Sequence, residues 1–145
     1  MFMRLAAILC VLLAFSCTKK VAEVAVGGGP MTTTTYGEQA EVMVGSGLVV
    51  TKTPSAFTFM EVLSDSRCPK GVDCIRAGEA IVRVVLADGS EQNVKINADG
   101  KNRASFAVPD GSVEILGLEP YPEARVKINP AGYRLKVRIT KAAVQ

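Results

Sequence analysis

An all-β fold, a single antiparallel β-sandwich or barrel-like domain of about seven to nine strands, is what this 145-residue sequence predicts. Three observations predict it. From Ala40 onward, apolar residues alternate with polar ones in short runs, the period of a half-buried strand. Gly, Pro, Asp and Asn interrupt those runs at the spacing of turns. No segment of that region sustains the 3.6-residue period of an amphipathic helix.

The strands are expected over 41–44, 48–52, 57–63, 80–87, 92–97, 104–108, 112–118, 125–128 and 133–140. One hairpin can be specified further. A two-residue Asp88-Gly89 turn would set Val84 beside Asn93 and Val82 beside Lys95, mixing apolar and polar on one face. A three-residue loop, Ala87-Asp88-Gly89, sets Val82 beside Val94 and Ala80 beside Ile96. The second register is expected, with Gly89 in the left-handed region, because a buried face specifies register strongly. In the last strand, Tyr133, Leu135, Val137 and Ile139 share one face and Arg134, Lys136 and Arg138 the other. That basic face is read as a solvated, edge-protecting surface; the competing reading is a stripe for lipid phosphates, an acidic glycan or an acidic protein patch.

Upstream of this domain, placed at 40–145, the chain changes character. It opens on Arg4, an apolar run from Leu5 to Phe15, and Ser16-Cys17. The run is shorter than the ~20 residues a spanning helix needs and has the layout of a secretory signal. The small residues ahead of Cys17 resemble the lipobox of bacterial lipoproteins, with Ala14-Phe15-Ser16 standing in for the usual triplet. That resemblance implies a signal peptide over 1–16 and a lipid on Cys17. An ordinary cleaved signal or an uncleaved apolar anchor, with Cys17 a bystander, is the alternative, and every version exports the chain. Residues 17–39, with Gly27-Gly28-Gly29-Pro30 and four consecutive threonines, are expected to be a tether; about twenty flexible residues span roughly 25 Å.

Export leaves Cys68 and Cys74 as an isolated pair where disulfides persist. A zinc site would need more ligands than two thiols in a chain with no histidine. A redox pair would want the C-x-x-C spacing at a helix start, whereas Pro69 and Gly71 indicate a turn. A structural bridge closing a seven-residue loop is therefore expected. Redox cycling of the pair is kept as a less favoured alternative, which reduction by a mild dithiol would reveal.

The absence of histidine excludes Ser-His and Cys-His catalysis. Asp65 and Asp73 flank the cysteines, and Glu61 and Glu79 lie just outside, but loop carboxylates more often cap turns than form an acid–base pair. Around Asn97 to Asn102, the Asp-Gly of a calcium loop lacks side-chain oxygens at its first and last ligand positions, Lys95 and Phe106. No phosphate loop or dinucleotide fingerprint is present. No enzyme activity, cofactor or metal is expected. The net charge of +3, about +2 once Arg4 is removed, is too small to suggest nucleic acid.

The stretch from Phe59 to Val85, containing Asp65-Ser66-Arg67-Cys68-Pro69 and Cys74-Ile75-Arg76-Ala77-Gly78, resembles a group of small bacterial lipoproteins frequent in Bacteroidetes. They share a D-S-R-C-P-x-x-x-x-C-I-W-A-G-x-A motif and a Tyr-rich last strand; Arg76 stands here where they have tryptophan. The resemblance covers about 40–142 and implies the compartment and an all-β fold, with no reaction attached. The chain is thus expected to be a non-catalytic envelope protein, held to the periplasmic face of the outer membrane. Arg67, Lys70 and Arg76 are the candidate contacts to an envelope protein or glycan, because a closed loop holds them at low conformational freedom. Two competing roles remain for the motif: plugging the acidic cleft of an envelope hydrolase as an inhibitor, or a purely structural one in which Asp65 and Arg67 hydrogen-bond the loop internally.

Overall fold

The computed structural model describes residues 29–143; the leader 1–16, Cys17 and the first part of the tether lie outside them. The domain is a β-sandwich. One sheet has five strands in the order β1-β3-β4-β5-β6 and the other four in the order β2-β9-β8-β7. In chain order these are β1 (Met31–Thr34), β2 (Gln39–Met43), β3 (Ser46–Val50), β4 (Ala56–Asp65), β5 (Glu79–Leu86), β6 (Glu91–Asn97), β7 (Ser105–Val108), β8 (Gly111–Glu119) and β9 (Arg134–Lys141). A 3₁₀ turn, Pro130–Gly132, precedes β9.

The alternating residues meet between the sheets. Phe57, Phe59, Val82 and Val84 of one sheet and Val113, Leu135 and Val137 of the other are wholly buried. Phe57 and Phe106 join the sheets edge to face, with ring centroids 5.1 Å apart. The β5–β6 hairpin adopts the expected register, Val82 opposite Val94 and Ala80 opposite Ile96. Its three-residue loop holds Gly89 at φ +83°, and Asp88 Oδ1 accepts from the Ser90 amide at 2.9 Å. In β9 the two faces separate as expected, with Leu135, Val137 and Ile139 buried, as is Tyr133 just before the strand. Its cations are met by carboxylates: Lys136 by Glu41 and Glu119, Arg138 by Glu114. The face expected to be solvated is a lattice of weak exposed ion pairs.

Three expectations need correction. The tether expected over 17–39 fails at its described end, because Met31–Thr34 form β1, an edge strand parallel to β3, and Gln39 begins β2. The threonine run carries little apolar signal yet has high strand propensity, and Thr34 is buried where its carbonyl accepts from the Thr51 amide at 3.0 Å. Among the described strands, β1 is the one paired in parallel; the others pair antiparallel. Residues 125–128, expected as a strand, are not one: Arg125 has φ +64°, which no strand admits, and the Val126 amide turns back to the Glu123 carbonyl at 3.1 Å. Finally, strict alternation fails in β8, where a shift between Ile115 and Gly117 brings Leu118 to the core face.

Strand directions sort the connections to two ends. The chain entry at Gly29, the turn at 44–45 and the loops 66–78, 98–104 and 120–133 share one end. The short turns 35–38, 51–55, 87–90 and 109–110 occupy the other. The cysteine motif lies at the first of these ends.

Candidate functional site

β4 ends at Asp65, and the chain then leaves its sheet toward the other one. Arg67, two residues on, turns its side chain inward. Its Nε and Nη2 donate to the two oxygens of Asp65 at 2.8 and 2.6 Å. Nη1 donates to the Leu118 carbonyl at 2.6 Å, and Nη2 also reaches the Pro120 carbonyl at 3.0 Å. These are the last residues of β8 and the start of the loop after it, so one guanidinium ties the rim of the first sheet to the rim of the second. Arg67 stacks on Tyr121, 4.9 Å from the ring centroid. From the β9 side, Tyr133 Oη donates to Asp65 Oδ2 at 2.9 Å.

The pair is nearly sealed from water, with side chains 3% and 9% exposed for Arg67 and Asp65. Burial raises the Asp65 pKa, but the bonds from Arg67 and Tyr133 outweigh it and hold the carboxyl below its ordinary value. Burial first, and the Asp65 acceptor second, push the Tyr133 phenol up to about 12. The signs give stability a plateau. The Asp65 contribution is complete above the unfolded carboxyl pKa of about 3.9 and is lost as pH falls through the lower folded value. The Tyr133 contribution is complete below about 10 and is lost as pH rises toward 12. Urea midpoints across pH should therefore fall at both extremes, and Tyr133→Phe should flatten the alkaline limb; an unchanged limb would show that the phenol is not the group responsible.

Cys68 and Cys74 form the expected disulfide, Cα atoms 6.0 Å apart. The loop is braced on both flanks. The Lys70 amide donates to the Pro122 carbonyl at 2.9 Å, and the Ala98 amide donates to the Gly78 carbonyl at 3.1 Å. Across its base, the Cys68 amide donates to the Ala77 carbonyl and the Ser66 amide to the Glu79 carbonyl, both at 2.8 Å. By the loop-closure relation, replacing both cysteines with alanine should cost about 2.4 kcal/mol, read as a shift in the denaturant midpoint. No change at all would mean the backbone bonds alone hold the loop.

The three cations singled out from the sequence part company. Arg67 is 5% exposed with its donors committed internally, so it is not a contact for a partner; burial against carbonyls of the other sheet is the reason. Lys70 is exposed, its Nζ 5.8 Å from the Tyr121 centroid. Arg76 is exposed on the rim of a shallow groove that it shares with Asn97 and Asp99. Between them, Ile75 stands wholly in solvent and Val72 is 46% exposed. Sequence reading passed over Ile75, Tyr121 and the role of Tyr133 as hydrogen-bond donor to Asp65. Only the last left a signal, since a tyrosine on a core face needs a partner for its hydroxyl.

The acids considered for catalysis are dispersed among separate cations: Asp65 to Arg67, Glu61 to Arg83 and Glu79 to Lys95 at 2.9 Å, with Asp73 exposed in the loop. A cleft of about 390 Å³ opens beside β8, bordered by Ile96, Ile115, Leu118, Tyr121, Arg67 and Arg103. Its two guanidiniums are already engaged, Arg67 as above and Arg103 with Glu114 at 3.1 Å. What the arrangement does chemically is hold a loop rigidly and display its tip. In comparisons with known proteins, no family model, no curated protein and no solved structure matched the chain.

Proposed function

We propose that this chain is a lipid-anchored protein of the cell envelope, held to the periplasmic face of the outer membrane through Cys17, whose β domain works by binding rather than catalysis. The contact surface is the end of the sandwich that carries the Cys68–Cys74 loop. The observation that carries the reading is the wholly exposed Ile75, set beside Arg76 on a loop fastened by a disulfide and by backbone bonds on both flanks. An apolar side chain held out to water in a fixed position is poised to bind, because little freedom remains to be lost when a partner arrives. Lys70 and Arg76 are the cations of this surface, and Arg67 is its internal brace. The signal-like leader, the lipobox-like residues before Cys17 and the likeness to small bacterial lipoproteins support the compartment.

The anchor is tested by labelling cells with palmitate. Incorporation into the native chain and its loss in Cys17→Ser is the expected result; labelling that persists in the variant removes the anchor from the proposal. The exposed Ile75 also favours the inhibitor reading, since a rigid protruding side chain fits the mouth of an enzyme cleft. Inhibition of a lysozyme or protease by the native protein, abolished by Ile75→Asp, would replace the binding role with that one.

A further inference from the structure

The exposed apolar side chains of this domain are not scattered. Among the described residues, those with large exposed hydrophobic surface are Met31, Met43, Met60 and Leu63 on strands and Val72, Ile75 and Val126 on loops. Each lies toward one end. Met31 opposes Gly47 at the start of β3, Met43 opposes Arg134 at the start of β9, and Met60 and Leu63 lie where β4 runs past β3 toward Asp65. Val72, Ile75 and Val126 belong to the loops 66–78 and 120–133 at that same end. The opposite end shows no large exposed hydrophobic side chain among the described residues.

Charge follows the same axis. Outside the ion pairs, the loops of the apolar end expose Lys70, Arg76, Lys101, Arg125 and Lys127 against Asp73, Asp99 and Glu123. The far end carries Glu38, Asp88 and Asp110 in its turns against Lys52 and, at the end of β9, Lys141. The chain also enters the domain at the apolar, cationic end, since β1 starts at Met31 there. Cys17 precedes Gly29 by 29 − 17 = 12 residues, a stretch that reaches at most about 43 Å whatever its conformation.

We propose that this end of the sandwich docks on an anionic lipid surface, the membrane in which the chain is anchored, with Ile75 and Val126 entering the headgroup boundary and Lys70, Arg76, Arg125 and Lys127 meeting lipid phosphates. The inference rests on the anchored reading above and names its partner. Apolar side chains set among an excess of lysine and arginine suit an interface whose outer layer is charged and whose inner layer is hydrocarbon. The anchor supplies the effective concentration, so weak individual contacts suffice to keep the domain down. The loop's bracing means that Ile75 needs no rearrangement to insert.

The chain has no tryptophan, so an introduced one reports alone. The processed, acylated protein is purified from envelopes carrying either Val126→Trp or, as the far-end control, Glu38→Trp. It is reconstituted into vesicles of phosphatidylethanolamine and phosphatidylglycerol, and flotation establishes that it is membrane-bound. The expected result is blue-shifted emission from position 126, with about two- to threefold more quenching by lipids brominated high on the acyl chain than at position 38. Adding Ile75→Asp and Arg76→Glu, or raising salt, should return position 126 to solvent-like emission while flotation persists. Protein that floats with equal quenching at both positions overturns the docking and leaves the anchor standing. Protein that fails to float overturns both. A blue shift that grows with protein density and resists brominated lipid means that copies of the chain cover this end, and it overturns the lipid surface as occupant.

Discussion

Arg67→Ala is expected to lower the stability of the domain by about 3–5 kcal/mol, enough to leave a small domain partly unfolded under ordinary conditions. The loss has two sources. Asp65 would remain as a carboxylate with 9% of its side chain exposed and its cation gone, and the carbonyls of Leu118 and Pro120 would lose their donor at the rim between the sheets. Because one guanidinium serves all three acceptors, Arg67→Lys should recover only part of the loss: it keeps the charge and forfeits the fork. The double variant Asp65→Ala with Arg67→Ala should be less damaged than the sum of the single changes, since removing both ions leaves no unpaired charge. Chemical unfolding of the four proteins measures this cycle. Additive losses would mean the two side chains act independently, and the account of this end as one coupled network would fall.

Such a network was only half legible in the sequence. The motif's fastening role could be read from the cysteine spacing and from the chain's export, and the internal pairing of Asp65 with Arg67 stood as a competing possibility. What hid the outcome is distance along the chain. The acceptors that bury Arg67 lie 51 and 53 residues away, in a strand end and a loop with no motif of their own. An arginine beside a cysteine loop reads as solvated because arginine is seldom buried without partners, and those partners are invisible until the sheets pack. The same logic sorts the strands. β5, β6 and β9 were legible because each buries one face, which writes alternation into the sequence. β1 buries only Thr34 and is held chiefly by its backbone pairing, so its side chains carry no such record. Residues 125–128 carry the alternation without the strand, since Ile128 alone packs against the core and Arg125 adopts a left-handed backbone.

Gly78→Ala is expected to cost about 2–4 kcal/mol, and the comparison that isolates the reason is Gly71→Ala in the same loop. Both glycines have positive φ, +76° and +78°, so each substitution meets the same backbone penalty of about 1–2 kcal/mol. Their surroundings differ. A Cβ on Gly71 meets nothing within 4 Å, whereas one on Gly78 would lie 1.9 Å from the Ser66 carbonyl oxygen and 3.0 Å from the Arg67 Cα. Those atoms are backbone and have no rotamer by which to retreat. Relief requires the strand exits of β4 and β5 to part, and the Ser66 amide bond to the Glu79 carbonyl at 2.8 Å lies directly in that path. Parting them also displaces Arg67 from the carbonyls of Leu118 and Pro120, so the damage spreads from one residue into the closure of the whole end. Denaturant midpoints for the two variants should therefore differ by more than about 1 kcal/mol, with Gly78→Ala the worse. Equal midpoints would show that this end of the sandwich yields to an added methyl group, and a loop that yields so easily would not hold Ile75 in the fixed position on which its binding role depends.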